Sequence, residues 1–234
     1  MGQFKGVPCK VWSALMVIKV NKKGYPKEYD TLFVDTETTG LYPDEDDCII
    51  QIAGFFMDKR GRVSDKFNFR MRPYHNDCYM TKEASECNGY TMEQIQEFDN
   101  PKEIIEKFTA ICNKHLKKGS KILIAGYNVG FDVKFIKDWF RTFHIRYSDY
   151  FESSYLDVYD EVKTYFFDKK RKPNNFKQTT VYRYFFKKEL NGAHDAMADI
   201  KASKKIHERL FRKKHTGIKV ALFIIVFVCV CMCI

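Results

Sequence analysis

The 234-residue sequence contains no Cys-x-x-Cys pair, and its eight cysteines (Cys9, Cys48, Cys78, Cys87, Cys112, Cys229, Cys231 and Cys233) are scattered or crowded at the end. That excludes the common zinc-binding spacings and argues for free thiols in a reducing compartment over a disulfide framework. His75, Cys78 and Cys87 have neither a fourth ligand nor the spacing of a zinc site. A secretory signal is not expected either: Val11–Val20 is apolar, but Lys19 interrupts it and no small-residue cleavage site follows. The opening Met1-Gly2 has the glycine for myristoylation, yet Gly6 stands where Ser or Thr is required. Internal repeats and low-complexity stretches are absent before the tail, which excludes a repeat array.

What is present suits one domain with tails. Hydrophobic residues make up 45% of the chain, enough for a sizeable core. The net charge of +10 is unevenly spread: residues 163–219 carry 17 Lys and Arg against five Asp and Glu, and the preceding part is slightly acidic. A basic third points to a polyanion, nucleic acid or an anionic membrane surface, although a merely solvated lysine-rich face has the same composition.

Along the chain, residues 1–29 read as an N-terminal extension, residues 30–213 as the main domain and residues 214–234 as a hydrophobic tail. Three strand-like runs come first, Thr31–Glu37, Cys48–Met57 and Val63–Met71, with Lys59–Arg62 as the hairpin turn between the last two. The acidic loop Asp44–Asp47 reads as solvated surface. Thr91-Met-Glu-Gln94 has the form of a capping box, and Asn100-Pro101 of a helix start. The helix from Pro101 buries Ile104, Ile105, Phe108, Ile111, Cys112 and Leu116, and stops at Gly119. Ile122–Ala125 is a buried strand, followed by a turn and a helix to Phe143. A strand near Tyr155–Val158, a helix to Phe167, a helix near Lys177–Lys188 and a long helix from Asp195 to Arg212 complete the order. Three antiparallel strands followed by alternating helices and strands predict an α/β mixed sheet flanked by helices.

Acids recur at the ends of these elements. Asp35 and Glu37, two apart at the end of an apolar strand, point to the same side. Two like charges there are unfavourable unless a cation lies between them, and hard divalent ions choose carboxylate oxygens. A strand ending in a polar Thr-Thr-Gly turn explains the same residues without a metal. Asp132 follows a strand and a glycine-containing turn, and Asp199 falls in the first turn of the last helix with His194 just outside it. Asp132 and Asp199 also suit helix starts for dipole reasons alone.

Asp-Thr-Glu-Thr-Thr-Gly at residues 35–40, Asn-Val-Gly-Phe-Asp at 128–132 and His-Asp-Ala-Met-Ala-Asp at 194–199 resemble, in order and spacing, the three motifs of DEDDh-branch 3′-to-5′ exonucleases. This group has a ribonuclease H-like fold and includes the epsilon proofreading subunit of bacterial replicases. Leu41, Ile49-Ile-Gln-Ile52 and Asn88-Gly-Tyr-Thr91 add to the likeness, and Gln51 departs from it where many relatives carry an acid. The resemblance implies that Asp35, Glu37, Asp132 and Asp199 ligate two divalent ions, Mg²⁺ or Mn²⁺, and that His194 is the general base. It implies hydrolysis of single-stranded DNA or RNA from the 3′ end to nucleoside 5′-monophosphates. Thr38, Leu41, Asn128 and Phe131 are candidate substrate contacts, with Phe131 equally readable as core packing. Four carboxylates and a histidine titrating near neutrality suit two-metal phosphodiester hydrolysis on chemical grounds as well. A non-catalytic module that binds nucleic acid or a replicase, tethered to a membrane, is the alternative, disfavoured because binding alone needs no four converging acids.

The last fifteen residues, Val220–Ile234, carry no charge. As a helix they would span about 22 Å, short of the roughly 30 Å hydrocarbon core. With Lys219 snorkelling, residues 218–234 suit a tail anchor that holds the domain on the cytosolic side, in the cytoplasm or nucleus. A core strand or an aggregation-prone extension is the competing reading, and acylation of the tail cysteines is a lesser one.

Overall fold

The computed structural model describes residues 20–21, 23–26, 29–116, 120–192 and 196–212. The first motif lies on the central strand of a five-stranded sheet. Its strands are β1 (Thr31–Thr38), β2 (Ile49–Met57), β3 (Val63–Arg70), β4 (Ile122–Gly126) and β5 (Phe151–Asp157), in the order β3-β2-β1-β4-β5. The β1–β2 and β2–β3 pairs are antiparallel, and β4 and β5 join parallel to β1. This is the mixed sheet that the order of elements predicts.

Alternation along β1 decides which layer each residue meets. Leu32 and Val34 face a cluster built with α3 (Pro101–His115) and α4 (Gly130–Thr142), around Phe108, Trp139 and Phe140. Phe33 faces the opposite cluster, built with α5 (Val158–Phe166), α6 (Gln178–Phe186) and α7 (196–212). Asp35 and Glu37 continue the Phe33 side, so they point toward the layer that contains α7. Two short helices, α1 (Lys82–Asn88) and α2 (Met92–Gln96), bridge β3 and α3.

Local chemistry accounts for most boundaries. Thr91 and Gln94 form the capping box of α2, and Asn100 caps α3 through Lys102 N–H with Pro101 in the first turn. Strand β2 is buried along its whole length, which matches its place between two neighbours. His115, at the end of α3, is held by Asp30 and Asp65, each at 2.9 Å, and stacks on Phe56 with ring centroids 3.8 Å apart. That clamp fixes the helix end against the sheet; the expected stop at Gly119 lies outside the described residues.

Several details differ from the sequence reading. Strand β5 starts at Phe151, four residues early, because pairing with Ile122 recruits a segment whose exposed middle breaks the apolar run. Tyr25, within the expected extension, is fully buried against Phe33 and His207, so the chain joins the core before β1. In the acidic loop, Asp44, Glu45 and Asp46 are exposed, but Asp47 is buried and accepts from Tyr42 N–H at 2.8 Å. Cys48, Cys78 and Cys112 are buried, Cys87 is exposed, and none of the four is in a disulfide. No helix among the described residues is long and apolar enough to cross a membrane. The hydrophobic tail, His194 and residues 1–19 lie outside the described residues.

Candidate active site

The acids meet at the carboxyl ends of the parallel strands, where open α/β sheets place their sites. Pairing of β1 with β4 brings Gly126 against Val34: a Cβ on Gly126 would approach the Val34 carbonyl to 2.8 Å. Only glycine permits that contact, and it lets the 126–132 segment turn directly beside Asp35. Asn128 takes the left-handed conformation (φ 58°), common for Asn, and its N–H donates to Asp157 Oδ1 at 2.9 Å. Helix α4 then begins with Asp132 in its first turn.

Asp132 is buried and tied to β1. Its Oδ1 accepts from Thr36 N–H at 2.9 Å and from Thr36 Oγ1 at 2.7 Å. Thr36 faces the α4 layer and stands between Asp35 and Glu37, so this pair of bonds brings an acid of one layer to the two of the other. On the far side, α7 supplies Asp199. Gln178, the first residue of α6, donates to the Asp199 carbonyl at 2.6 Å and to Ser203 Oγ at 2.9 Å. Ser203 Oγ also donates to that carbonyl at 3.0 Å, so the first described turn of α7 is clamped.

The electrostatics show that the four acids share one field. Burial first, then the charges of Asp132, Glu37 and Asp199, push the Asp35 carboxyl well above its usual range. Burial also pushes Asp132 up to about 7, against the lowering effect of the two Thr36 bonds and with the help of the Asp157 charge. Cys87 in α1 is raised by burial and by Glu37, Asp199 and Asp35, which places α1 at the rim. Among the described residues no Lys, Arg or His pairs with Asp35 or Asp132. No group of three His, Cys, Asp or Glu among the described residues is arranged to hold a metal ion. An all-oxygen donor set suits hard divalent cations.

The other candidates occupy varied positions. Thr38 is buried and donates from Oγ1 to the Gly40 carbonyl at 2.6 Å, and its own carbonyl accepts from Asn88 Nδ2 at 3.1 Å. Thr39 N–H donates to the Cys48 carbonyl, so that group serves the fold. Leu41 is 63% exposed just beyond the motif. Asn128 is exposed, whereas Phe131 packs against the core with its ring 4.9 Å from Phe135. His75 and Cys78 are engaged elsewhere, with Asp138 at 2.9 Å and Thr39 at 3.2 Å. Thr36, Asp157 and Gln178 are positioning residues that sequence reasoning missed, whereas Asn88 was noted only as part of the family likeness. Of the three, only Thr36, flanked by both acids, gave a local signal.

A family model described as Exonuclease (RNase_T) matches residues 32–207. The chain belongs to the exonuclease family. Solved structures agree with the fold. The nuclease domain of 3′hExo, a DEDDh family member, bound to rAMP, superposes with a TM-score of 0.62 at 16% identity, covering 79% of this chain and 92% of that one. Escherichia coli exonuclease I in complex with a dT13 oligonucleotide gives 0.64 at 21% identity, over 83% of this chain and 43% of that one. Cell-death related nuclease 4 gives 0.64 at 19% identity, over 80% and 65%. No curated protein matches the chain by sequence. The family's enzymes are exonucleases and the sheet is the ribonuclease H-like one, so the family accounts for both the fold and the class of reaction.

Proposed function

We propose that the chain removes nucleotides from the 3′ end of single-stranded nucleic acid, releasing nucleoside 5′-monophosphates. The observation that carries this reading is the shared field of Asp35, Glu37, Asp132 and Asp199, acids from three distant parts of the sequence. Asp35, Glu37, Asp132 and Asp199 would hold two divalent cations, Mg²⁺ or Mn²⁺. Bound there, the ions supply an activated water and charge neutralisation on the phosphoryl oxygens.

The protein's own residues do the rest. Thr36 keeps one Asp132 oxygen fixed and leaves the other lone pairs for a cation. Asp132, raised to about 7, sheds its proton when a cation replaces it. Gln178 and Ser203 hold the first described turn of α7 so that Asp199 meets the β1 acids from across the cleft. His194, before α7, accepts the attacking water's proton on an imidazole nitrogen as the oxygen bonds to phosphorus. The bond from phosphorus to the 3′ oxygen breaks, the phosphate leaves on the 5′ carbon of the released nucleotide, and a solvent proton completes the new 3′ hydroxyl. Exposed Leu41 offers an apolar surface to the terminal base, and exposed Asn128 a polar contact.

The test uses a 5′-labelled single strand with Mg²⁺, in DNA and RNA versions, with wild type and Asp35→Asn. A ladder shortening from the 3′ end, absent with the variant and with a 3′-blocked strand, supports the reading. Wild type that leaves both strands intact refutes it.

A further inference from the structure

We propose that a basic cleft between α6 and α7 holds the sugar–phosphate backbone of the substrate strand upstream of its reacting 3′ end. The cleft, open to solvent on one side, has a volume of about 360 Å³, and its lining includes Lys188, Lys201 and Lys205, with Tyr182 and Asn191. The lone acid of the lining, Glu189, is already engaged by Arg183 at 2.6 Å. Among the described residues none of the three lysines forms an ion pair; Lys205 Nζ instead sits 3.3 Å from Tyr182 Oη. Like charges at i and i+4, as at 201 and 205, disfavour a helix unless an anion comes between them.

The position relative to the acids gives the cleft its meaning. On α7, Ala198, Lys201, Ala202 and Lys205 form one stripe at helical spacing, and the two lysines project about 120–160° round the helix from Asp199. Lys201 and Lys205 start about 3 and 9 Å along the axis from Asp199. One helix thus presents a carboxylate face to the reacting end and, on its other side, a cationic face that the upstream strand reaches by crossing over α7. The two alanines keep the floor low enough for a backbone to enter.

The basic surface continues past the cleft. Lys187, next to Lys188, lies over the Tyr184 ring at 5.1 Å, and Tyr184 Oη donates to the Arg171 carbonyl at 3.1 Å. That bond pins the exposed loop Lys169–Lys172 against α6, and Lys169 covers the Tyr165 ring of α5 at 4.5 Å. A flexible polyanion suits this path better than a bilayer does, because a recessed cleft can receive a strand but not a flat headgroup surface.

The proposal takes its ligand from the exonuclease reading, but its test requires no turnover. Anisotropy of a 5′-labelled 25-nucleotide strand is titrated with the full chain in the absence of divalent cation, at several salt concentrations. Each backbone contact contributes a slope of about 0.7 to log K against log salt, roughly five-fold in affinity at 0.1 M. Lys201→Ala and Lys205→Ala, at exposed positions, should each show that loss. The triple substitution Lys188→Ala/Lys201→Ala/Lys205→Ala should show it about a hundred-fold, with most affinity kept by the Lys→Arg triple. An unchanged salt slope, or equal loss in the Arg triple, overturns the proposal. So does loss of binding to phosphatidylserine vesicles in the Ala triple while strand binding stays the same. Lysine-dependent strand binding with no cleavage once Mg²⁺ is added leaves the cleft standing and refutes the nuclease reading.

Discussion

Asp35→Asn should abolish activity and make the metal-free protein more stable. Asp132 titrates near 7 in the folded chain, against 3.8 for an ordinary aspartate. Three units at about 1.36 kcal/mol each put the cost of keeping it ionised at roughly 4 kcal/mol. Asp35 is shifted in the same direction by burial and by three neighbouring acids. Between the unfolded and folded pKa values the folded chain binds more protons, so stability falls as pH rises from about 4 to 7 and levels off above. Asparagine preserves the shape and removes one charge from the field. At pH 8 in EDTA the variant should melt above wild type, by roughly 2–4 °C for each kcal/mol of burial and repulsion cost that the substitution removes. At pH 5, where the folded acids are largely protonated, the two proteins should melt much closer together. Mg²⁺ should then raise the Tm of wild type more than that of the variant. Thermal melts at the two pH values decide it. A wild type whose Tm is the same at pH 5 and pH 8, or a variant no more stable at pH 8, refutes the shared-field argument.

Thr36→Val removes one of two bonds to the ionised Asp132 and should raise its pKa further, by about one to two units. Activity should fall at pH 7 and recover toward pH 9, read from a pH–rate profile. Gly40→Ala places a Cβ 2.3 Å from the carboxylate oxygens of buried Asp47 and should destabilise by about 1–3 kcal/mol in thermal unfolding. His194→Ala should lower kcat by about 10² to 10⁴ while divalent-ion affinity by calorimetry stays within two-fold.

The parts of the fold most legible in the sequence were those fixed by neighbours a few residues apart. The capping box at Thr91, the Asn100-Pro101 start and the buried stripe of α3 follow from local periodicity; the first two formed as read, and the stripe did too except that Ile111 and Leu116 are only partly buried. The start of β5 was not legible, because Phe151–Ser154 becomes a strand only through pairing with β4. The burial of Tyr25 likewise depends on α7, nearly two hundred residues away. At the site, each acid was readable from its motif, but the residues that hold the acids were not. Thr36 and Gln178 act through bonds across 96 and 21 residues, and single-sequence spacing contains no trace of such contacts.

The central claim is that acids of three motifs gather to hold a pair of cations. Anomalous diffraction from crystals grown with Mn²⁺ tests it most directly. The account predicts two manganese peaks bounded by Asp35, Glu37, Asp132 and Asp199. Saturating manganese that leaves this cleft without a peak, or that binds only at other acids, would contradict it.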